Sequence, residues 1–206
     1  NGIIINSTFN NNTAKYSGGV IRWYGANGTI SNSTFNNNNA EYDGGVILWQ
    51  GINGAVSNST FINNTAEYGG AIIWWGDNGA VSNSTFINNK AQKYYGGAIH
   101  WYGKYGALSN STFNNNTAKY GGAIYWNGRN GALSNSTFIN NTAEYGGAIF
   151  WKGINGAVSN STFNNNTARA NGGAVRWESE NGTISNSTFN NNNAEYGGAI
   201  RWSHNR

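Results

Sequence analysis

The chain has 206 residues, 38% of them hydrophobic and 15% aromatic, enough to bury one elongated core. It has no cysteine, so neither disulfides nor thiolate metal ligands contribute. Its formal charge is +4 and its pI about 9.3, but Lys15, Arg22, Lys90, Lys104, Arg129, Lys152 and Arg169 scatter along the chain without the continuous stripe that neutralises a phosphate backbone. No nucleic-acid partner is expected.

From the amino end, the signals Asn-Ser-Thr-Phe, Gly-Gly and Trp recur in fixed order eight times, with the Phe at 9, 35, 61, 86, 113, 138, 163 and 189. A period of 25 to 27 residues marks one supersecondary unit stacked as a solenoid. Three intervals never change: four residues from the second Gly of the pair to Trp, five from Trp to the next Asn-Gly glycine, and seven from there to Phe. Every insertion falls between the Ala after Phe and the Gly pair, as Ala66 to Gly69 and the longer Ala91 to Gly96 show. Constant intervals suit a parallel β-helix, in which one inserted residue would turn inward side chains outward. Helical solenoids are excluded, because the unit is rich in Gly, Asn, Ser and Thr and lacks apolar residues at helical spacing.

The third unit serves as the pattern. Asn53-Gly54 forms one corner, as do Asn78-Gly79 and Asn130-Gly131 in other units, since Asn and Gly accept left-handed backbone angles. Val56 then points inward, Asn58 turns a second corner, Ser59 and Phe61 point inward, and Asn64 and Ala66 follow. The Gly pair 69–70 borders the variable corner, and Ile72 and Trp74 are inward. Position 73 is expected to face solvent, because its equivalents are Arg22, Leu48, His100, Tyr125, Phe150, Arg176 and Arg201. The core is expected to consist of columns of like residues, with an amide ladder of Asn64-type side chains, in a rod roughly 40 Å long at the sheet spacing. Residues 1–206 read as a single β-helical domain without a linker. The chain begins at the repeat boundary Asn1-Gly2 and stops shortly after Trp202, which reads as a processed or excised piece of a secreted protein.

Each candidate for chemistry has a plain structural reading beside it. Glu41, Asp43 and Glu67, and Glu178 with Glu180, are the acidic groups that a polysaccharide lyase or hydrolase would need. The first group lies at the corner whose length varies, a poor place to fix catalytic geometry, so no catalytic residue is assigned. His100 and His204 fall in different coils and are expected to be solvated; no metal and no cofactor is expected. Asn-x-Thr sequons recur, with Asn6, Asn11, Asn27, Asn63, Asn115, Asn140, Asn165 and Asn181 as candidate glycosylation sites, although turn Asn and strand Thr also arise from the coil itself. An outward column of Thr34, Thr60, Thr85, Thr112, Thr137, Thr162 and Thr188 raises ice binding. Finally, Leu48, Ile73, Trp75, His100, Tyr102, Tyr125 and Phe150 flank the core Trp positions and are expected to form an exposed aromatic strip, framed by Arg22, Arg176 and Arg201, that contacts sugar rings or a partner chain.

The pairing of Phe-x-x-Asn (Phe9 to Asn12, Phe61 to Asn64, Phe138 to Asn141) with Gly-Gly-Ala-Ile at 69–72, 96–99, 121–124, 146–149 and 197–200 resembles the repeats of the chlamydial polymorphic outer-membrane proteins. It is also similar to the Asn/Thr-rich adhesin-like surface proteins of methanogenic archaea. The resemblance implies a right-handed parallel β-helix, secretion, and adhesion at the cell surface, and it carries over no catalytic residue. The expected function is thus a non-enzymatic extracellular, adhesin-like protein. Its expected partners are a glycan and further copies of itself, stacked head to tail or packed laterally, with no membrane insertion by this segment. A carbohydrate-active β-helix enzyme is the second reading and an ice-binding protein the third.

Overall fold

A computed structural model describes residues 1–203 of the chain. They form an all-β parallel solenoid of eight coils, and no helix occurs among the described residues. The third coil contributes the strands Ala55–Ser57, Thr60–Ile62, Thr65–Ala66 and Ile72–Trp74. Each pairs in parallel with its equivalents on both sides, so that Phe61 lies between Phe35 and Phe86, and Trp74 between Trp49 and Trp101. Stacking produces three eight-stranded sheets, named below for their inward residues: aliphatic, phenylalanine and tryptophan. The strands after Phe pair less continuously, as a four-stranded sheet over the first coils and a two-stranded one near Ala143 and Ala168. That is the segment leading into the variable corner, where unequal lengths prevent an unbroken ladder.

The inward set read from the sequence holds: Val56, Ser59, Phe61, Asn64, Ala66, Ile72 and Trp74 are all buried. The corners are left-handed, with Asn53 at φ 55°, Asn58 at 47° and Gly69 at 57°. A third asparagine corner at Asn63, φ 55°, had been legible only as a sequon. Asn tolerates this region because its short polar side chain bonds locally. The glycine of Asn-Gly obeys a different constraint. A Cβ on Gly79 would overlap the Trp74 indole, so this glycine makes room for the largest core side chain.

One corner breaks the rule. Tyr105 occupies the Asn position of its coil at φ 55°, a conformation that costs a residue of this kind of order 1 kcal/mol or more. It also interrupts an exterior amide ladder. Asn78 Nδ2 donates to Asn53 Oδ1 at 3.0 Å and Asn53 Nδ2 to Asn27 Oδ1 at 3.1 Å, and the series resumes where Asn155 Nδ2 donates to Asn130 Oδ1 at 2.9 Å.

Cohesion comes from repeated columns. Phe rings stack with centroids 4.7 to 5.1 Å apart and the core indoles at 4.6 to 5.0 Å, the spacing that parallel strands impose. The buried asparagine column is fully satisfied. Asn116 Nδ2 donates to Asn141 Oδ1 and to Phe86 O, each at 3.0 Å, while its Oδ1 accepts from the Asn89 backbone N and from Asn89 Nδ2, also at 3.0 Å. All four bonding positions of the amide are used, so a polar group with no exposed surface costs the core little.

Three stability outcomes follow from this geometry. Phe113→Ala is expected to cost about 3 to 5 kcal/mol by cavity formation, and Phe9→Ala less, because Phe9 is only partly buried and has a ring neighbour on one side. Asn116→Ala should cost about 3 kcal/mol or more, since it strands bonding groups on Asn89, Asn141 and Phe86. Tyr105→Asn should instead raise stability by about 1 kcal/mol by relieving the backbone and joining the two halves of the exterior ladder. Chemical denaturation of the four variants checks all three.

Candidate functional site

Strand alternation sends position 73 and its equivalents to the outer side of the tryptophan sheet, but that side is not open to solvent. Leu48, Ile73, Tyr125 and Phe150 are at most 7% exposed and His100 only 1%, which corrects the expectation of an exposed aromatic strip and of a solvated His100. Of that strip, only Trp75 and Tyr102 are exposed, at 49% and 40%. At the two ends the same column carries Arg22 and Arg201, both exposed, and the half-buried Arg176.

The cover is a second aromatic layer. The residue before the Gly pair is Tyr68, Tyr95, Tyr120, Tyr145 or Tyr196 in five coils, and the left-handed glycine that follows (Gly69, Gly96, Gly121, Gly146) turns the chain tightly onto the strand. Tyr95 packs on Tyr125 with ring centroids 4.3 Å apart, and Tyr120 meets Phe150 edge to face at 5.5 Å. The signal was present in the sequence as Tyr-Gly-Gly at constant offset despite the variable corner, and periodicity alone does not say that these rings fold back over a neighbouring sheet.

The outer face of the tryptophan sheet is thereby a trough. Its floor is the position-73 column, one wall is the tyrosine column, and the other is the residue after Trp, where Trp75, Tyr102, Lys152 and Glu178 stand. It widens into two clefts. One, of about 320 Å³, is lined by Asp43, Tyr68, Ile73, Trp75, Tyr95, His100 and Tyr102. The other, of about 270 Å³, is lined by Tyr95, Tyr120, Tyr125, Tyr145, Phe150, Lys152, Arg176 and Glu178. In the second, Arg176 Nη2 and Nε donate to Glu178 Oε1 at 2.6 and 3.0 Å while its Nη1 has no partner. In the first, His100 lies against Tyr102, Tyr125 and Tyr95 with centroids at 4.1, 4.9 and 5.1 Å, and neither ring nitrogen has a hydrogen-bond partner. Burial alone drives the His100 pKa down from 6.5 to about 3, so the ring is neutral at physiological pH. Burial also raises the Asp43 carboxyl, partly opposed by the hydrogen bond from Ser17 Oγ at 3.2 Å.

The other candidates sit apart from this trough or at its margin. Glu67 pairs with Lys93, and Lys119 with Glu144 at 4.0 Å, so the variable corner carries mixed surface charge. No group of three or more His, Asp or Glu able to hold a metal occurs among the described residues; His204 lies outside them. Asn6, Asn11, Asn27, Asn63, Asn115, Asn140, Asn165 and Asn181 are all exposed and all at positive φ. The Thr column from Thr34 to Thr162 is in register but half-buried, beside a mixed column of Asn36, Ile62, Ile87 and Asn114.

The fold and trough define a non-globular class, the parallel β-solenoid that presents a groove along its axis. The Chlamydia polymorphic membrane protein repeat matches at residues 6–22, 58–72, 83–100, 110–125, 135–150 and 160–176, so six of the eight coils are similar to that repeat. Each matched stretch runs from a left-handed Asn through the Phe strand to the Gly pair and reaches or approaches the trough floor; the residues after Trp that form the second wall lie beyond it. No curated protein and no solved structure matches the chain.

His100 offers a direct check on the buried floor. His100→Leu places the Leu48 side chain type in the same column and removes two unsatisfied nitrogens, which is expected to raise stability by about 1 to 2 kcal/mol at pH 7. The pH dependence has a definite sign. Because the folded pKa is depressed, the unfolded chain binds the extra proton first, so stability falls as pH drops from about 6.5 toward about 3. Urea midpoints of the two proteins should separate steadily as pH falls from about 6.5 toward about 3, with the His100→Leu variant losing less on acidification.

Proposed function

We propose that this chain is a non-enzymatic structural module of a cell-surface, adhesin-like protein, and that its axial trough contacts glycans. The repeat supports the surface setting, since its family is one of membrane proteins by name. The trough supports the contact. Exposed Trp75 and Tyr102 at one end and Lys152 with the Arg176–Glu178 pair at the other provide ring faces for sugar stacking and polar groups for hydroxyls. The eight coils give a rigid support that holds these groups in line along the axis. Lengthening of the rod belongs to the same reading. The outermost strands present unpaired edges and partly exposed column members such as Trp202 at 44%, and a further coil, from the same chain or a second copy, would continue each column in register.

Binding to a panel of immobilised polysaccharides tests the reading. The double variant Trp75→Ser, Tyr102→Ser should lose roughly tenfold or more in affinity with little change in thermal midpoint, whereas Thr60→Ser and Thr85→Ser on the phenylalanine sheet should bind as the parent does. Incubation with pectin, alginate and chitin, with and without Ca²⁺, should release no reducing or unsaturated ends. Release would replace this reading with an enzymatic one.

A further inference from the structure

The position-73 column gives each coil a choice between an apolar side chain, which stabilises the outer layer, and a polar one. In the middle coils Leu48, Ile73, Tyr125 and Phe150 take the apolar or aromatic course. His100 does not, and it is placed where it weakens the fold: 1% exposed, with neither Nδ1 nor Nε2 bonded. A buried donor and acceptor left unmade are destabilising. What sets His100 apart from the other buried nitrogens is its place in the lining of a cleft, where the hydroxyls of a ligand would bond it.

Resting on the reading that the trough takes glycans, we propose that the cleft over coils two to four is a binding site for one neutral pyranose, its ring lying on Trp75 and its hydroxyls shared between His100 and Asp43. The neutral imidazole has one donor and one acceptor, and because its two nitrogens point apart, separate hydroxyls of the sugar would meet them. Asp43 accepts further hydroxyl protons, and the half-exposed indole of Trp75, set edge to face with Tyr102 at 5.8 Å, offers the apolar face that a pyranose ring covers. The cleft volume, about 320 Å³, is at the small end for ligand sites and suits one ring rather than a chain. Charge narrows the class. Asp43 is the only acidic side chain lining the cleft and no Lys or Arg lines it, so a uronate would be repelled. A quaternary ammonium would leave both His100 nitrogens unsatisfied. Tyr102, tilted over His100 with centroids 4.1 Å apart yet 40% exposed, is the side chain that would have to swing outward to admit the hydroxyls.

Titration calorimetry of the full chain with methyl hexosides, an N-acetylhexosamine, a methyl glucuronide and choline tests the assignment. Expected is binding of at least one neutral sugar, weakened roughly tenfold or more by Trp75→Ala and by His100→Leu, the latter at an equal or higher thermal midpoint. Thr60→Ser on the phenylalanine sheet should leave it unchanged. Unaltered binding by His100→Leu, or binding confined to the glucuronide or choline, overturns the proposal. If polysaccharide adhesion persists while neither Trp75→Ala nor His100→Leu affects any sugar, this cleft assignment falls and the broader trough reading stands; if the parent chain binds no sugar in any form, both fall.

Discussion

Every feature of this protein depends on the parallel strand ladder, which repeats each coil at the strand spacing and permits no slip. Because one strand register serves eight coils, a residue type that packs well once packs well in its whole column. The Phe and Trp rings stack at 4.6 to 5.1 Å for this reason, and the buried Asn amides find all four hydrogen bonds because their neighbours above and below are Asn as well. A lone buried Asn would be a liability; a ladder of them is a continuous polar network that fixes register as firmly as a ladder of backbone bonds.

The same constraint explains where variation is allowed. The corner before the Gly pair lies outside the continuous ladders, so it accepts insertions and carries most of the acidic residues. Yet its last residue before the glycine is locked again, since the left-handed glycine fixes how the chain re-enters the tryptophan sheet. The tyrosines at that point are therefore delivered to one place whatever the loop length. That delivery converts a sheet face into a trough, and the functional reading rests on it.

Two positions depart from the repeat at a cost in stability. Tyr105 holds a left-handed angle that Asn holds elsewhere, and nothing in the structure explains its choice. His100 leaves both ring nitrogens unbonded in a column that otherwise favours apolar residues, and the sugar site proposed beside it would supply a reason. Departures from the repeat are more informative than the repeat itself, because the repeat encodes the rod and only the departures distinguish one coil from another.

The sequence by itself determined the solenoid, the number of coils, the inward columns and two of the left-handed asparagine corners, because invariant spacing and residue type translate directly into register and burial. The Asn63 corner was hidden, since an Asn-Asn-Thr turn reads equally well as a sequon. Tertiary structure alone decided the state of the outer face. Alternation correctly sent Leu48, Ile73, His100, Tyr125 and Phe150 to that side, but period two says only which side a residue takes and nothing of what lies over it. Tyr95 and Tyr120 arrive there from a corner outside the strand register, and their position relative to the sheet is set by the backbone path through a glycine at positive φ, a three-dimensional fact that no one-dimensional pattern contains.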